Sequence, residues 1–238
     1  MLRRIYWPQF WHSLFLPGYV QTGPCAGMRY GRFSTGSVIL PKLLGTYESE
    51  LHPTLSNLPF SAYDHCVDVG AGEGYYAVGL CYRHPHLHMT AFESNSKGRR
   101  RIHRLARMNG VSDRIAVLGH CGPDALGSAF LPGKRCLLIM DVEGFEASLL
   151  DPRRVKALRE VDFIVEVHPE YDPALESILW SRFDQTHDLH IIRRQPRECL
   201  PGGVRLPARM RKIAAYLMEE FRGPQCWLIG RANQFMST

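Results

Sequence analysis

The chain carries no Cys-x-x-Cys spacing, no G-x-S-x-G nucleophile elbow, no Walker phosphate loop and no H-E-x-x-H pair. A protein without these has little machinery for covalent or phosphate chemistry, and a reaction governed by the alignment of two bound groups suits it better. It has no internal repeat and no low-complexity segment, which points to one core rather than an array. No apolar run reaches the length of a membrane span. The opening "MLRRIYWPQFWHSLFLPG" is broken by Pro8, Gln9 and His12 and shows no small-residue cleavage site, so neither a signal peptide nor a span is expected. The seven cysteines are an odd number, and Cys66 and Cys136 open apolar strand-like runs. That usage fits reduced thiols in a cytoplasmic protein.

What is present is enough for a full core: 238 residues, 45% of them hydrophobic. The net charge of +6 suits a nucleic-acid partner in principle. The basic residues are scattered, however, and their densest cluster, "KGRRRIHRLAR" at 97–107, has the pattern of one helix with a solvated face. Nucleic acid is therefore not the expected partner.

Apolar runs alternate with helical candidates. After a Gly- and Pro-punctuated opening to about residue 40 comes "HCVDVG", then "HMTAFE" at 88–93, "RIAVLGH" at 114–120, "CLLIMDVE" at 136–143 and "VDFIVEVH" at 161–168. Most are continuously apolar, as strands covered on both faces are. Helices are predicted near 74–83, 96–109, 146–159 and 173–186, and "LHIIR" and "QCWLIG" supply two last strands. The pattern predicts an α/β fold: a doubly wound, mostly parallel, seven-stranded sheet. Residues 1–45 read as an N-terminal extension and candidate lid, and 46–238 as the main domain with an insertion at about 195–222. In that insertion Met210, Ile213, Ala214, Leu217 and Phe221 fall on one face of a predicted helix.

Ligands of such sheets bind beyond the carboxyl ends of the strands, where strand order reverses. The unusual polar residues gather there: Asp68, Glu93, Asp141, Glu143, Glu166 and His168. Gly70, Gly72 and Gly74 form G-x-G-x-G after the first strand. Tyr75 occupies the place of the third glycine of a dinucleotide fingerprint, which weighs against NAD or FAD. Glycine there lets the backbone approach a ligand closely. Glu93 stands 23 residues beyond Gly70, at the end of the second strand, where a carboxylate can accept ribose hydroxyls. The "HPHLH" at 84–88 looks metal-like, but Pro85 and its place between a helix and a strand favour a surface connection.

"VDVGAGEGYYAVGL" followed by "AFES" resembles the first two motifs of class I S-adenosylmethionine-dependent methyltransferases. "LLIMDVEGFEASLL" resembles the K-I-D-V-E-G-x-E signature of the FkbM-type family, while "LLGTYESELHP" and "IVEVHPEYDP" resemble its flanking segments. The likeness covers roughly residues 40–185. It implies a Rossmann-like methyltransferase fold, S-adenosylmethionine as cofactor and a small-molecule acceptor such as a sugar or secondary-metabolite hydroxyl. Carried over position by position, it implies that Asp68, Gly70, Ala71, Gly72 and Gly74 line the methionine and ribose side and that Glu93 holds the ribose. Tyr47 and Glu48 would fold over the cofactor, and Asp141 and Glu143 would sit beside the transferring methyl. "GHCGPDAL" at 119–126 departs from the family pattern, and Ile139 and Met140 precede Asp141 where a basic residue is expected.

An acceptor hydroxyl must lose a proton, and His168 is the candidate base. Asp141, Glu143, Glu166 and His168 offer a weaker alternative, a divalent cation held by hard oxygens and one imidazole. A nucleic-acid or protein methyltransferase using helix 97–107, and a non-catalytic cofactor-binding protein, are the competing readings. Against the former, the sequence has no appended RNA-binding module and no N-P-P-Y-type motif after the fourth strand.

Overall fold

The structure is a computed structural model that describes residues 10–197, 199–220, 223 and 225–233. Seven strands form one sheet: β1 (His65–Val69), β2 (His88–Phe92), β3 (Ile115–Leu118), β4 (Cys136–Met140), β5 (Asp162–Val167), β6 (His187–Arg193) and β7 (Cys226–Ala232), in the order β3-β2-β1-β4-β5-β7-β6. β1 to β5 are parallel, and β7 runs antiparallel between β5 and β6. The expected doubly wound, mostly parallel sheet is thus observed.

The continuous apolar runs have a simple cause: alternate residues serve opposite faces. Cys66, Leu137, Ile139 and Ile164 enter one apolar cluster, while Val67, Leu138, Met140 and Val165 enter another on the far side. Each such side chain contributes about 1.5–3 kcal/mol by leaving water. The helices Tyr75–Arg83 and Ser96–Asn109 cover the first face, and Pro123–Ala129 and Leu175–Phe183 the second. Segment 16–44 is no detached arm. Val20, Met28, Tyr30 and Leu40 are buried in the first cluster, and helix Ile39–Leu44 is buried along its whole length. The expected lid also includes residues 1–9, which lie outside the described residues.

Two helical expectations are corrected. The single helix expected over 146–159 is a four-residue helix, Glu146–Leu149, followed after "DPRRV" by a 3-10 turn, Lys156–Arg159. Pro152 has no N–H to continue the first, and Asp151 turns back to accept from the Arg153 N–H at 2.9 Å. The insertion's helix is two pieces, Ala208–Arg211 and Ala214–Met218. Met210 and Leu217 are buried as expected, Ile213 between the two pieces is exposed, and Phe221 lies outside the described residues. The "HPHLH" segment is the expected connection: His84 stacks on Phe60, and His86 Nε2 lies 2.9 Å from the Phe60 carbonyl. No helix among the described residues is long and apolar enough to cross a membrane.

Candidate functional site

Strand order reverses at β1, which has β2 on one side and β4 on the other. Beyond the carboxyl ends of these strands opens a cleft of about 590 Å³, within the range of small-molecule sites. Its floor is the glycine corner. Gly70 adopts φ +85°, and a Cβ built on it would fall 1.7 Å from the Asp141 carbonyl oxygen. Only glycine lets β1 turn this close to β4. The Gly70 and Ala71 N–H groups both donate to the Phe92 carbonyl, at 2.9 and 3.0 Å, which closes the corner against β2.

The Glu93 carboxylate fixes the next turn. One oxygen accepts from the Gly72 N–H at 2.8 Å and the other from the Asn95 N–H at 2.6 Å. Each oxygen keeps a second lone-pair direction, and the side chain borders the cleft. Gly98 makes this possible from the opposite side: a Cβ there would meet Glu93 Cγ at 2.6 Å and the Gly72 carbonyl at 2.7 Å. Within "KGRRR" that glycine gives no warning of its role. Asp68, two residues before Gly70, is buried, and its pKa is pushed up to about 7. Burial is the main cause, then the nearby Asp141 carboxylate, against the lowering effect of the Ala77 N–H; Glu93 and Glu48 add to the rise.

A carboxyl with a raised folded-state pKa contributes stability that is complete below its unfolded value near 4 and is lost as pH rises through about 7. Asp68→Asn therefore should raise the melting temperature at pH 8, by about 2–8 °C for a recovery of 1–2 kcal/mol, and flatten its dependence between pH 4 and 7. A lower melting temperature at pH 8 contradicts this assignment.

The residue between the second and third glycines, Glu73, anchors the N-terminal segment. Buried, it forms an ion pair with Lys42 at 2.5 Å and accepts from the Thr35 N–H at 2.6 Å, the Ser34 hydroxyl at 3.1 Å and the Tyr30 hydroxyl. Burial alone would raise its pKa, but the Lys42 charge and these donors bring it below the ordinary glutamate value. Arg101 completes the anchor, donating to the Ser34 carbonyl and the Thr35 hydroxyl, each at 2.7 Å. Thr35, Gly36 and Ser37 consequently wall the cleft. Lys42→Met leaves a buried carboxylate without its cation, and a loss of about 3–5 kcal/mol is expected. Urea denaturation reads this directly, and an unchanged midpoint would refute the anchor.

Tyr47 and Glu48 stand on the cleft wall. Glu48 is buried, accepts from the Tyr76 hydroxyl at 2.5 Å and adopts φ +49°. Its N–H donates to Glu220 at 2.9 Å, and Glu220 pairs with Arg197, which also pairs with Glu50. The insertion thus braces the segment that carries Tyr47 and Glu48. The other non-glycine residue with positive φ among the described residues is Glu143, at +50°. Such conformations cost on the order of 1–3 kcal/mol and concentrate at functional sites, and both of these border the cleft.

Asp141, Glu143 and His168 are brought together. His168 Nε2 lies 3.6 Å from Asp141 Oδ1 and 3.7 Å from Glu143 Oε2, while Nδ1 is held at 2.6 Å by the fully buried Glu146. Burial pulls the imidazole pKa down, but the Glu146 bond and the Asp141, Glu146 and Glu143 charges outweigh it, and the pKa is raised. Asp141 and Glu143 border the cleft; His168 is buried behind them. Glu166 does not join. It lies within β5 opposite Trp227, and the atoms that converge belong to the other three.

Solved structures share this architecture. The C-terminal domain of precorrin-6Y C5,15-methyltransferase from Rhodobacter capsulatus superposes with a TM-score of 0.51 at 16% identity, over 76% of this chain and 87% of that one. The StiE O-methyltransferase segment gives 0.51 at 13% identity, over 81% and 76%. The chain has the class I methyltransferase fold. No family model matches it, and no curated protein matches it in sequence. At these identities the likeness is one of fold, and the site has to carry the chemistry.

Sequence reasoning did not single out Lys42, Glu73, Gly98, Glu146 or Trp227. Glu73 stands inside the glycine motif and Glu146 inside "DVEGFE", so a charged residue within a motif was the available signal. The segment "GHCGP", which departs from the expected pattern, still walls the cleft through His120, Cys121 and Pro123.

Proposed function

We propose that the protein is an S-adenosylmethionine-dependent methyltransferase of the FkbM type, acting on a hydroxyl of a small molecule, sugar or secondary metabolite. The observation that carries this reading is the Glu93 carboxylate. One oxygen is fixed by the Gly72 N–H of the glycine corner and the other by the Asn95 N–H after β2, and each keeps a lone pair for one hydroxyl of a ribose. Asp68, Gly70, Ala71, Gly72 and Gly74 then bound the methionine and ribose side. Tyr47 and Glu48 cover it, and Asp141 and Glu143 flank the transferring methyl. Asp68, ionised above pH 7, offers its charge to a cationic cofactor.

S-adenosylmethionine, held by Asp68, the glycine corner and Glu93, would supply a methyl group to the acceptor oxygen by in-line displacement, and the proton of that hydroxyl would pass to solvent at the cleft mouth. Such an in-line displacement asks mainly for alignment. Asp141 and Glu143 are placed to orient the hydroxyl. His168, with Nδ1 held by Glu146, acts from behind them.

The basic helix favours this over a nucleic-acid acceptor. Arg99 is bonded to the Glu93 and Ser94 carbonyls and Arg101 to the N-terminal segment, so two of its charges are spent on the site's own frame. Incubation with methyl-labelled cofactor tests the proposal. Label should enter hydroxylated small molecules as an ether and fail to enter their deoxy counterparts. Label entering only RNA or protein would overturn it.

A further inference from the structure

The cluster at the acceptor end of the cleft has a feature that hydrogen bonding does not explain. His168 is 1% exposed, and its Nδ1 is committed to Glu146. Its Nε2 points into the space beside Asp141 and Glu143 and, among the described residues, makes no hydrogen bond: the two carboxylate oxygens stand off at 3.6 and 3.7 Å. Its nearest polar neighbours are these two carboxylates, which face the same small space. The separations are too long for hydrogen bonds but suit ligands of one ion. With ligand bonds of about 2.1 Å, neighbouring ligands lie roughly 3–4 Å apart. One ligand atom from each of Asp141, Glu143 and His168 falls within 4.8 Å of the others.

Glu146 supplies the second half of such a site. A metal-bound imidazole typically gives its other N–H to a carboxylate, which fixes the ring and presents the free nitrogen. Glu146 is fully buried, bonds Nδ1 and also accepts from the Gly144 N–H at 3.2 Å, so its own position is set by the loop that carries Glu143. Positive φ at Glu143 turns that side chain toward His168. Among the described residues, this is where three potential ligands converge.

We infer that Asp141, Glu143 and His168 hold a divalent cation such as Mg²⁺ or Mn²⁺, and that the acceptor is a chelating one, with the methylated hydroxyl next to a second oxygen. Two carboxylates and one imidazole leave about three positions of an octahedral ion open. A vicinal diol or an α-hydroxy acid fills two of them. The cation lowers the hydroxyl's pKa, so the proton leaves to solvent at the cleft mouth before the oxygen takes the methyl, and it fixes which of two neighbouring oxygens faces the donor. His168 then serves as a ligand and needs no direct contact with the acceptor, consistent with its place behind the cleft wall. This inference deepens the hydroxyl-methyltransferase reading and rests on it for the acceptor, but the cation site can be tested separately.

The test is titration of chelator-treated full-length protein with Mn²⁺, followed by electron paramagnetic resonance. S-adenosylmethionine affinity is measured on the same samples. Wild type should silence the free-ion signal at one Mn²⁺ per chain. Glu143→Gln, an exposed change that spares the core, should weaken Mn²⁺ binding at least tenfold, and His168→Gln more. The free-ion signal persisting in folded wild type, or Mn²⁺ binding indifferent to both substitutions, overturns the cation site. Loss of S-adenosylmethionine binding with the Mn²⁺ site intact would sink the methyltransferase reading instead.

Discussion

Glu93→Ala should lower the affinity for S-adenosylmethionine at least about a hundredfold. Two hydrogen bonds from ribose hydroxyls to a buried carboxylate are worth about 1.5–3 kcal/mol each, and either one accounts for about tenfold or more. A second loss adds to the first. Without the carboxylate, the Gly72 and Asn95 N–H groups lose the acceptors that hold the glycine turn and the start of helix Ser96–Asn109 in place. Glu93→Gln separates the two effects. It keeps one acceptor oxygen and most of the shape, so part of the affinity should survive, whereas the alanine variant should show no saturable heat. Equal affinity in wild type and Glu93→Ala would remove this carboxylate from the site.

Gly70→Ala should be the most damaging single-methyl change in the chain. The new Cβ would lie 1.7 Å from the Asp141 carbonyl oxygen, and that oxygen is backbone, unable to swing aside as a flexible side chain can. Asp141 is tied back to the strand before the corner, its N–H donating to the Val69 carbonyl at 2.9 Å, so relief requires β1 and β4 to part at their carboxyl ends. The positive φ adds strain of its own, about 1–3 kcal/mol. A total above about 4 kcal/mol is expected, seen as insoluble protein or a melting temperature lowered by more than about 10 °C. Gly110→Ala is the control. Its φ of +68° is also left-handed, but nothing lies within 4 Å of the added Cβ, so only the conformational cost of about 1 kcal/mol applies. Similar losses at the two positions would mean that the close approach at Gly70 has no energetic weight.

The parts of this structure legible in the sequence were those governed by short-range pattern. Strands buried along their whole length, such as β1, β4 and β5, leave nearly unbroken apolar runs, and the two partly exposed strands β3 and β6 still carry enough apolar residues to be placed. The turn from β1 to its helix leaves glycines, because nothing else tolerates φ near +85° against a neighbouring carbonyl. What failed was also physical. The helix expected over 146–159 has enough apolar residues for its period, but the Asp151–Pro152 pair ends it, since a proline ring removes a donor whatever the periodicity. Periodicity reads one helix through Met210, Ile213 and Leu217, but Ile213 falls between two short helices and is exposed.

The candidate site divides in the same way. Asp68, Glu93 and Asp141 could be named from their places at strand ends, whereas Tyr47 and Glu48 came forward only through resemblance to a family. Lys42 and Glu73 are 31 positions apart and meet only when segment 30–42 folds over the glycine turn. Glu146 and His168 meet across 22 positions, from a helix start and a strand end. No local pattern announces such pairs, and these pairs make the cleft a site rather than a groove.

The account stands on one molecule entering that cleft. Calorimetric titration of the purified, folded wild-type protein with S-adenosylmethionine, and in parallel with its demethylated product, measures this most directly. Saturable binding of both ligands, one per chain and in the micromolar range, is the expected result. No heat from either ligand, in protein whose cooperative melting shows it to be folded, would mean that the corner "CVDVGAGEGYY" holds something else.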